Sequence, residues 1–105
     1  MVELDKDSFD EKVINSKDLC LVDYFGDTCE PCKALMPKVH ALSEEYVGKV
    51  NFYSFNTSKA RRLAIREKIL GLPTIAIYKD GAKVKEVTKE EATIENIKSM
   101  VDSML

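Results

Sequence analysis

The fold of this chain is decided by residues 19–32, which have the sequence LCLVDYFGDTCEPC. The apolar run at 19–25 is typical of a buried strand, and the GDT that follows indicates a short turn. A helical pattern begins at about Cys29. The sequence therefore predicts that the thiols of Cys29 and Cys32 lie where a strand passes into the N-terminus of a helix.

That position favours redox chemistry of the two thiols. The unpaired N–H groups and the dipole at a helix N-terminus favour a thiolate, which is the form that attacks disulfides. The i, i+3 spacing places both sulfurs on one side of the first turn, with Cβ atoms about 5–6 Å apart. A modest local adjustment brings them within disulfide geometry. The pattern therefore predicts a reversible dithiol/disulfide site at Cys29 and Cys32.

Length and composition limit the class of protein. The chain has 105 residues, enough for one domain, residues 1–105, with one core. The net charge of −2 and the lack of a long apolar run give no indication of nucleic acid or membrane binding. The acidic start has no apolar signal-peptide region, and three cysteines do not make a secreted disulfide framework. We therefore expect a cytoplasmic protein with one working thiol pair and one spare thiol.

Apolar periodicity predicts elements in the order α-β-α-β-α-β-β-α. The strands are expected at 19–25, 50–55, 74–78 and 84–87, and the later helices at about 29–47, 58–69 and after a cap at Thr93. Ser8 and Glu11 predict a capping box that opens a short first helix, with Phe9 and Val13 facing inward. Strands joined through helices are expected to be parallel and the last two antiparallel. The predicted fold class is α/β, a central mixed sheet flanked by helices on both faces.

Further features accompany the two cysteines. They are Val22-Asp23-Tyr24 at the end of the strand, Lys33 after the second cysteine, Pro37 within the helix and the segment 71–74, GLPT. A lone Cys-x-x-Cys is a weak signal, but this combination, over nearly all of the chain, resembles the thioredoxin family. The resemblance implies the thioredoxin fold and a thiol–disulfide oxidoreductase that reduces protein disulfides. It also implies recycling by a thioredoxin reductase, with no bound cofactor and no metal.

The expected catalytic roles combine the helix position with the resemblance. Cys29 is nearer the helix start and is expected to be the exposed nucleophile, while Cys32, one turn deeper, resolves the mixed disulfide. A buried Cys32 needs a base. Asp23, a carboxylate within an apolar strand, is the candidate proton acceptor and donor. The alternative for Asp23 is an exposed position at the end of the strand.

The resemblance also implies a substrate-binding surface beside the cysteines. Pro73 is expected to follow a cis peptide bond and to face the substrate. That leaves the backbone of Leu72 and Thr74 free to pair with the substrate, as in strand addition. Glu30 and Pro31, between the two cysteines, belong to the same surface, and Pro31 also stiffens the turn.

The chain departs from the family pattern at several positions. It has no tryptophan, and the unusual residues are Phe25 and Thr28 at the tryptophan positions, Ser54 for a buried lysine, Glu30 for glycine, and Thr88-Lys89 near a missing glycine. The tryptophan-free site and residues 60–65, ARRLAI, resemble thioredoxins of anaerobes that ferment amino acids. That narrower resemblance implies partners in selenoprotein systems such as glycine reductase. A monomer is expected.

Several residues and the whole protein have alternative interpretations. Cys20 is expected to pack in the core, with a regulatory thiol as the alternative, and His40 is expected at the surface. Arg61, Arg62 and Arg66 form either a solvated face or a guide for an acidic partner. The rival functions are a redox-inert binding module, a zinc-binding domain, and an oxidising or isomerising dithiol protein. The retained thiols disfavour the first, and the lack of a second cysteine pair disfavours the zinc domain.

Overall fold

The computed structural model of the chain describes residues 1–105. Its strands are β1 (Val2–Leu4), β2 (Cys20–Phe25), β3 (Asn51–Asn56), β4 (Thr74–Lys79) and β5 (Ala82–Thr88). Its α-helices are α1 (Glu30–Ser43), α2 (Arg61–Arg66) and α3 (Ile94–Asp102). A π-helical segment lies at Asp10–Ile14, and 3-10 turns lie at Glu44–Tyr46, Thr57–Lys59 and Lys89–Glu91. None of these helices combines the length and apolar character that crossing a bilayer requires.

The strands form one mixed sheet in the order β1-β3-β2-β4-β5. The strands β1, β3 and β2 are parallel, while β4 runs antiparallel to β2 and pairs with β5 in a hairpin. Positive φ angles at Asp80 (52°) and Gly81 (79°) match the two-residue turn that such hairpins favour. The predicted mixed sheet with an antiparallel final pair is confirmed.

Two apolar layers cover the two faces of the sheet, because successive side chains of a strand point to opposite faces. In the larger layer, Leu21 of β2 packs with residues of α1 and α3. The second layer contains the alternate residues of β2 together with the first helical segment and α2, and its members include Cys20, Val22, Tyr24, Phe9, Val13 and Leu63. The predicted helices on both faces and the inward positions of Phe9 and Val13 are confirmed.

The strand β1 is absent from the sequence-based prediction. It pairs in parallel with β3 at the edge of the sheet. Of its three residues only Leu4 is buried, so the segment lacks the apolar run by which a strand is usually detected. Its conformation depends on backbone hydrogen bonds to a distant part of the chain.

The predicted capping box at Ser8 is wrong. The Ser8 hydroxyl accepts a hydrogen bond from the Asp5 N–H at 3.0 Å, and the Asp5 carboxylate accepts one from the Ser8 N–H at 2.9 Å. Both side chains therefore close a turn that precedes the helical segment Asp10–Ile14. In contrast, Thr93 caps α3 as predicted, accepting a hydrogen bond from the Asn96 N–H at 3.2 Å.

Two helices are shorter than their apolar patterns predict. The helix predicted at 58–69 is α2, which has only six residues. The Asn56 side chain accepts the Ser58 N–H at 2.9 Å and starts a 3-10 turn in place of the first helical turn. The first long helix, predicted to reach residue 47, ends at Ser43 and continues as a 3-10 turn.

A buried hydrogen-bond network joins the sheet to the segment after α2. The hydroxyls of Tyr24 and Tyr78 are 2.7 Å apart, and Tyr78 donates to the Glu67 carboxylate at 2.8 Å. Burial is the main cause that raises the pKa of both tyrosines, so both hydroxyls keep their protons. Because Glu67 directly follows α2, the network fixes the start of the segment that leads to Pro73.

Candidate active site

Cys29 and Cys32 lie at the beginning of α1, as predicted. Cys29 is the N-cap residue in an extended conformation (φ −88°, ψ 100°), and its sulfur accepts a hydrogen bond from the Cys32 N–H at 3.2 Å. Pro31 lies in the first helical turn, where the helix needs no N–H donor. The cysteines form a disulfide with their Cα atoms 5.2 Å apart. The outer sulfur is therefore already in contact with an N–H of the helix N-terminus.

The two sulfurs differ in accessibility. Cys32 has only 2% of its surface exposed, whereas Cys29 is partly exposed. A disulfide within another folded protein is bulky, so it reaches the outer sulfur more readily than the inner one. The N–H groups at the helix start also favour a thiolate on the outer sulfur.

Asp23 is completely buried in β2, and neither oxygen of its carboxylate has a hydrogen-bond partner. Its neighbours across the sheet are Ser54 in β3 and Ile75 in β4, neither of which carries a charge. Burial raises the pKa of Asp23 to about 7, because desolvation disfavours the charged form. The alternative of an exposed aspartate is therefore wrong, and the carboxyl group is able to exchange a proton near neutral pH.

The periodicities of β2 and α1 bring Cys32 and Asp23 to the same space. Asp23 points to the same face of the sheet as Leu21, two residues earlier. Leu35 of α1 packs in the same apolar layer as Leu21, and Cys32 precedes Leu35 by about one turn. The helix α1 starts near the C-terminal end of β2 and runs antiparallel to it. One turn toward the start of α1, from Leu35 to Cys32, therefore corresponds to the step along β2 from Leu21 to Asp23, the next residue on the same face. From this periodicity we infer that the buried thiol of Cys32 and the buried carboxyl group of Asp23 face each other between α1 and β2.

The loop before β4 lies against the active-site turn. The Leu72–Pro73 peptide bond is cis. A Cβ atom on Gly26 would lie 3.0 Å from Cδ1 of Leu72, so this leucine packs on the turn that leads to Cys29. The backbone N–H and C=O of Leu72 have no hydrogen-bond partner in the chain. The loop thus presents the unpaired backbone groups of Leu72 beside the turn that leads to Cys29.

Thr74 has a different position from Leu72. Its side chain is buried, and its hydroxyl donates to the Gly71 carbonyl at 2.6 Å and lies 2.8 Å from the Thr88 hydroxyl. Thr74 also pairs with Tyr24 of β2 and with Thr88 of β5, so the expectation that its backbone is free to pair with a substrate is wrong. The side chain of Thr74 therefore holds the loop in place from inside the protein.

Lys89, which the sequence marked only as a departure from the family's glycine, lies against the cis-proline loop. It has φ of +54°, a region that favours glycine, and its N–H donates to the Pro73 carbonyl at 2.8 Å. Its aliphatic side chain passes over Gly71, where any added Cβ would collide with it. The departure from glycine was visible in the sequence, but only the fold places this lysine on the cis-proline loop.

Glu30 is exposed beside the disulfide. Its carboxylate forms an ion pair of 3.6 Å with Lys33, and the two side chains are 82% and 59% exposed, respectively. A pair this exposed contributes little to stability and is screened by salt. Lys33 therefore neutralises the charge of Glu30 only weakly, and this charge acts on the thiols through solvent.

We expect Glu30→Gln to raise the alkylation rate of the reduced Cys29 thiol about two- to threefold at low ionic strength, because it removes the negative charge of the residue that directly follows Cys29. Reaction of the reduced protein with iodoacetamide at pH 7 measures this rate. The effect should fade at about 0.5 M salt, and Lys33→Gln should slow the reaction. An unchanged rate in Glu30→Gln at low salt would show that this charge does not reach the thiolate.

Cys20 and His40 take no part in the disulfide. Cys20 is a free thiol, completely buried on the opposite face of β2 from Asp23, and burial raises its pKa. His40 is exposed, as expected, and it lines a groove of about 520 Å³ together with Cys32 and Met36. No three His, Cys, Asp or Glu side chains are grouped so that they could hold a metal ion.

Comparison with known proteins agrees with the geometry of this site. The thioredoxin family profile matches residues 1–103. The chain is 60% identical over 101 residues to a thioredoxin of Peptoclostridium acidaminophilum, covering 96% of this chain and 92% of that protein. It is 54% identical over 101 residues to a thioredoxin of Acetoanaerobium sticklandii, covering 96% of each. The solved structure of Chlamydomonas reinhardtii thioredoxin f2 matches with a TM-score of 0.89 at 28% identity, covering 99% of this chain and 95% of that one. With its redox pair at Cys29 and Cys32, the chain therefore belongs to the thioredoxin family of thiol–disulfide oxidoreductases.

Proposed function

We propose that this protein reduces protein disulfides, with Cys29 as the attacking thiolate, Cys32 as the resolving thiol and Asp23 as the proton acceptor and donor. One observation carries the proposal: the disulfide joins a partly exposed sulfur to a buried one, and the strand that leads to it contains a buried carboxyl group with no hydrogen-bond partner. An unpaired buried carboxylate is costly. A redox-inert binding module has no use for such a group, whereas a resolving thiol needs a base.

The proposed reaction transfers two electrons from the dithiol to the substrate. The Cys29 thiolate attacks one substrate sulfur, an S–S bond forms to Cys29, and the other substrate sulfur leaves as a thiolate. Asp23 accepts the proton of Cys32, whose thiolate then attacks the sulfur of Cys29. The bond to the substrate breaks, the second substrate thiolate leaves, and the protein is left with the Cys29–Cys32 disulfide. The substrate disulfide is reduced and the protein dithiol is oxidised.

The substrate is proposed to bind as an extended segment along the loop before β4. The unpaired backbone groups of Leu72 support this proposal, because an extended chain supplies a matching donor and acceptor. Pro73 is proposed as the cis proline next to the substrate, although its own surface is buried in the free protein, and Glu30 and Pro31 are proposed to border the segment on the other side of the disulfide. Thr74 supports the loop from within the sheet and is not proposed to pair with the substrate, because β2 and β5 flank it on both sides.

A thioredoxin reductase is proposed to return the electrons. The narrower resemblance to thioredoxins of amino-acid-fermenting anaerobes suggests selenoprotein systems such as glycine reductase as acceptors. We further propose that residues 1–105 act as one domain, as a monomer in the cytoplasm. The two thioredoxins at 60% and 54% identity support the same general activity.

The reduction potential distinguishes this proposal from its rivals. Equilibration of the protein with glutathione, followed by thiol counting, is expected to give a value near −270 mV, which is usual for thioredoxins. The reduced protein should also reduce insulin disulfides. A potential near −120 mV would indicate a strong oxidant instead, and a pair that does not exchange with glutathione would indicate an inert module.

A further inference from the structure

Five basic side chains surround one groove outside the dithiol site. This basic groove has a volume of about 450 Å³, and its basic lining residues are Lys6, Lys59, Arg61, Arg62 and Arg66. We infer that the basic groove binds an acidic segment of the partner protein whose disulfide is exchanged at Cys29. The inference rests on the proposed function and adds a chemical class of partner to it.

The topology places the basic groove and the dithiol at the same end of the strands. The strands β1, β3 and β2 are parallel, so their C-terminal ends lie side by side. Lys6 follows β1, Lys59 and Arg61 follow β3, and Cys29 follows β2. One partner surface is therefore able to contact both sites.

Direct contacts fix the distance between the two sites. The Ser58 hydroxyl accepts the Asp27 N–H at 3.0 Å, and the Thr57 hydroxyl donates to the Phe25 carbonyl at 3.0 Å. Lys59 follows Ser58 directly, and Cys29 is two residues beyond Asp27. Standard chain geometry then limits the Cα–Cα distance between Lys59 and Cys29 to about 18 Å, which an extended peptide spans with roughly five or six residues.

Most of these cations are available to a partner. Arg66 is held by Asp10 at 2.6 Å and by Glu67 at 3.0 Å, so its charge is largely neutralised. The other four residues of the groove form no ion pair within the chain, and all four are exposed.

Charge complementarity favours an acidic protein segment as the occupant. The whole chain has a net charge of −2, and Asp5 and Asp7 lie beside Lys6 and Lys59, so the positive potential of the basic groove is centred on Arg61 and Arg62. Nucleic acid would also meet the cations, but the lining contains no aromatic ring on which a base stacks. A protein segment is also the kind of partner that brings a disulfide to Cys29.

Two cystine peptides of equal length test the inference. One carries four glutamates beginning five residues from the half-cystine, and the other carries glutamines at the same positions. At low ionic strength the wild-type protein is expected to reduce the acidic peptide about fivefold faster or more, in kcat/KM, than the neutral one. That ratio should fall toward one in Arg61→Glu/Arg62→Glu and, for wild type, at about 0.5 M salt. These two arginines are chosen because Asp5 and Asp7 lie beside Lys6 and Lys59 in the adjoining groove.

A matched control separates the groove from net charge. Lys17→Glu/Lys79→Glu changes the net charge by the same amount and should keep the wild-type ratio. Both lysines are exposed and lie at the end of the sheet opposite the dithiol, since Lys17 precedes β2 and Lys79 is the last residue of β4. An equal ratio in wild type and Arg61→Glu/Arg62→Glu would overturn the inference. Tight, saturable binding of a single-stranded DNA probe that these arginines control would also overturn it, in favour of nucleic acid. Failure to reduce the neutral peptide at all would instead refute the proposed function.

Discussion

Cys29→Ser is expected to lower the reduction of protein disulfides by at least about 10³-fold, because no other sulfur in the chain is both accessible and near the helix N-terminus. Cys32 has 2% of its surface exposed and Cys20 has none. Insulin turnover with a chemical reductant as electron source measures the loss. Cys20→Ser is the matched control, and it should retain activity with only a modest loss of packing.

Cys32→Ser is expected to behave differently, because Cys29 still attacks but nothing resolves the mixed disulfide. Covalent complexes with target proteins should accumulate and be released by a reductant in gel electrophoresis. The trapped proteins would also identify the natural partners. If Cys29→Ser traps targets and Cys32→Ser does not, the two roles are reversed.

Asp23→Asn is expected to stabilise the oxidised protein at pH 8 by on the order of 3 kcal/mol. Burial raises the pKa of Asp23 from the ordinary value of 3.8 to about 7, and each pKa unit corresponds to about 1.36 kcal/mol. The buried amide of asparagine, which also lacks a partner, offsets part of that gain. Chemical denaturation of the disulfide form measures the free energy of unfolding.

The direction of the pH dependence follows from the raised pKa. Below the unfolded pKa near 4, the carboxyl group is protonated in both states and costs no charge burial. As pH rises from about 4 to about 7, the unfolded chain releases the proton while the folded protein holds it, so the wild type loses stability relative to Asp23→Asn. Above about pH 7 the difference stays constant. At pH 4 Asp23→Asn should therefore have lost its advantage and be slightly less stable than wild type, because the cost of the unpaired buried amide does not depend on pH.

Asp80→Asn provides the control for this prediction. It makes the same chemical change at an exposed turn residue with φ of +52°, a region that asparagine tolerates well, and should stay within about 0.5 kcal/mol of wild type. Asp23→Asn should also slow resolution by Cys32 near neutral pH, because the proton acceptor is gone. An Asp23→Asn protein no more stable than wild type at pH 8 would mean that the carboxylate is not held in an apolar site.

Local patterns explain which features the sequence determined. The apolar run of β2, the turn at Gly26 and the helical pattern after Cys29 are each complete within a few residues, so the strand, the turn and the helix start were predictable from neighbouring side chains. The Thr93 cap has the same local origin, because its hydroxyl binds an N–H three residues away. The capping box predicted at Ser8 did not form, although its pattern was also local. The Ser8 N–H, which Glu11 would accept in a capping box, donates instead to the Asp5 carboxylate.

Only the tertiary structure decided the features that join distant segments. The strand β1 exists through its pairing with β3, and the network from Tyr24 through Tyr78 to Glu67 joins three separate parts of the chain. The sequence showed Ser54 at the position of the usual lysine beside Asp23. It did not show that both carboxylate oxygens lack a partner, because that depends on all the segments that pack around Asp23. By itself, the sequence determined the strand–turn–helix that carries the thiols, because that unit depends on local propensity. The fold decided the proton affinity of Asp23, the position of Lys89 and the grouping of the basic residues, because desolvation and charge depend on what the rest of the chain brings into contact.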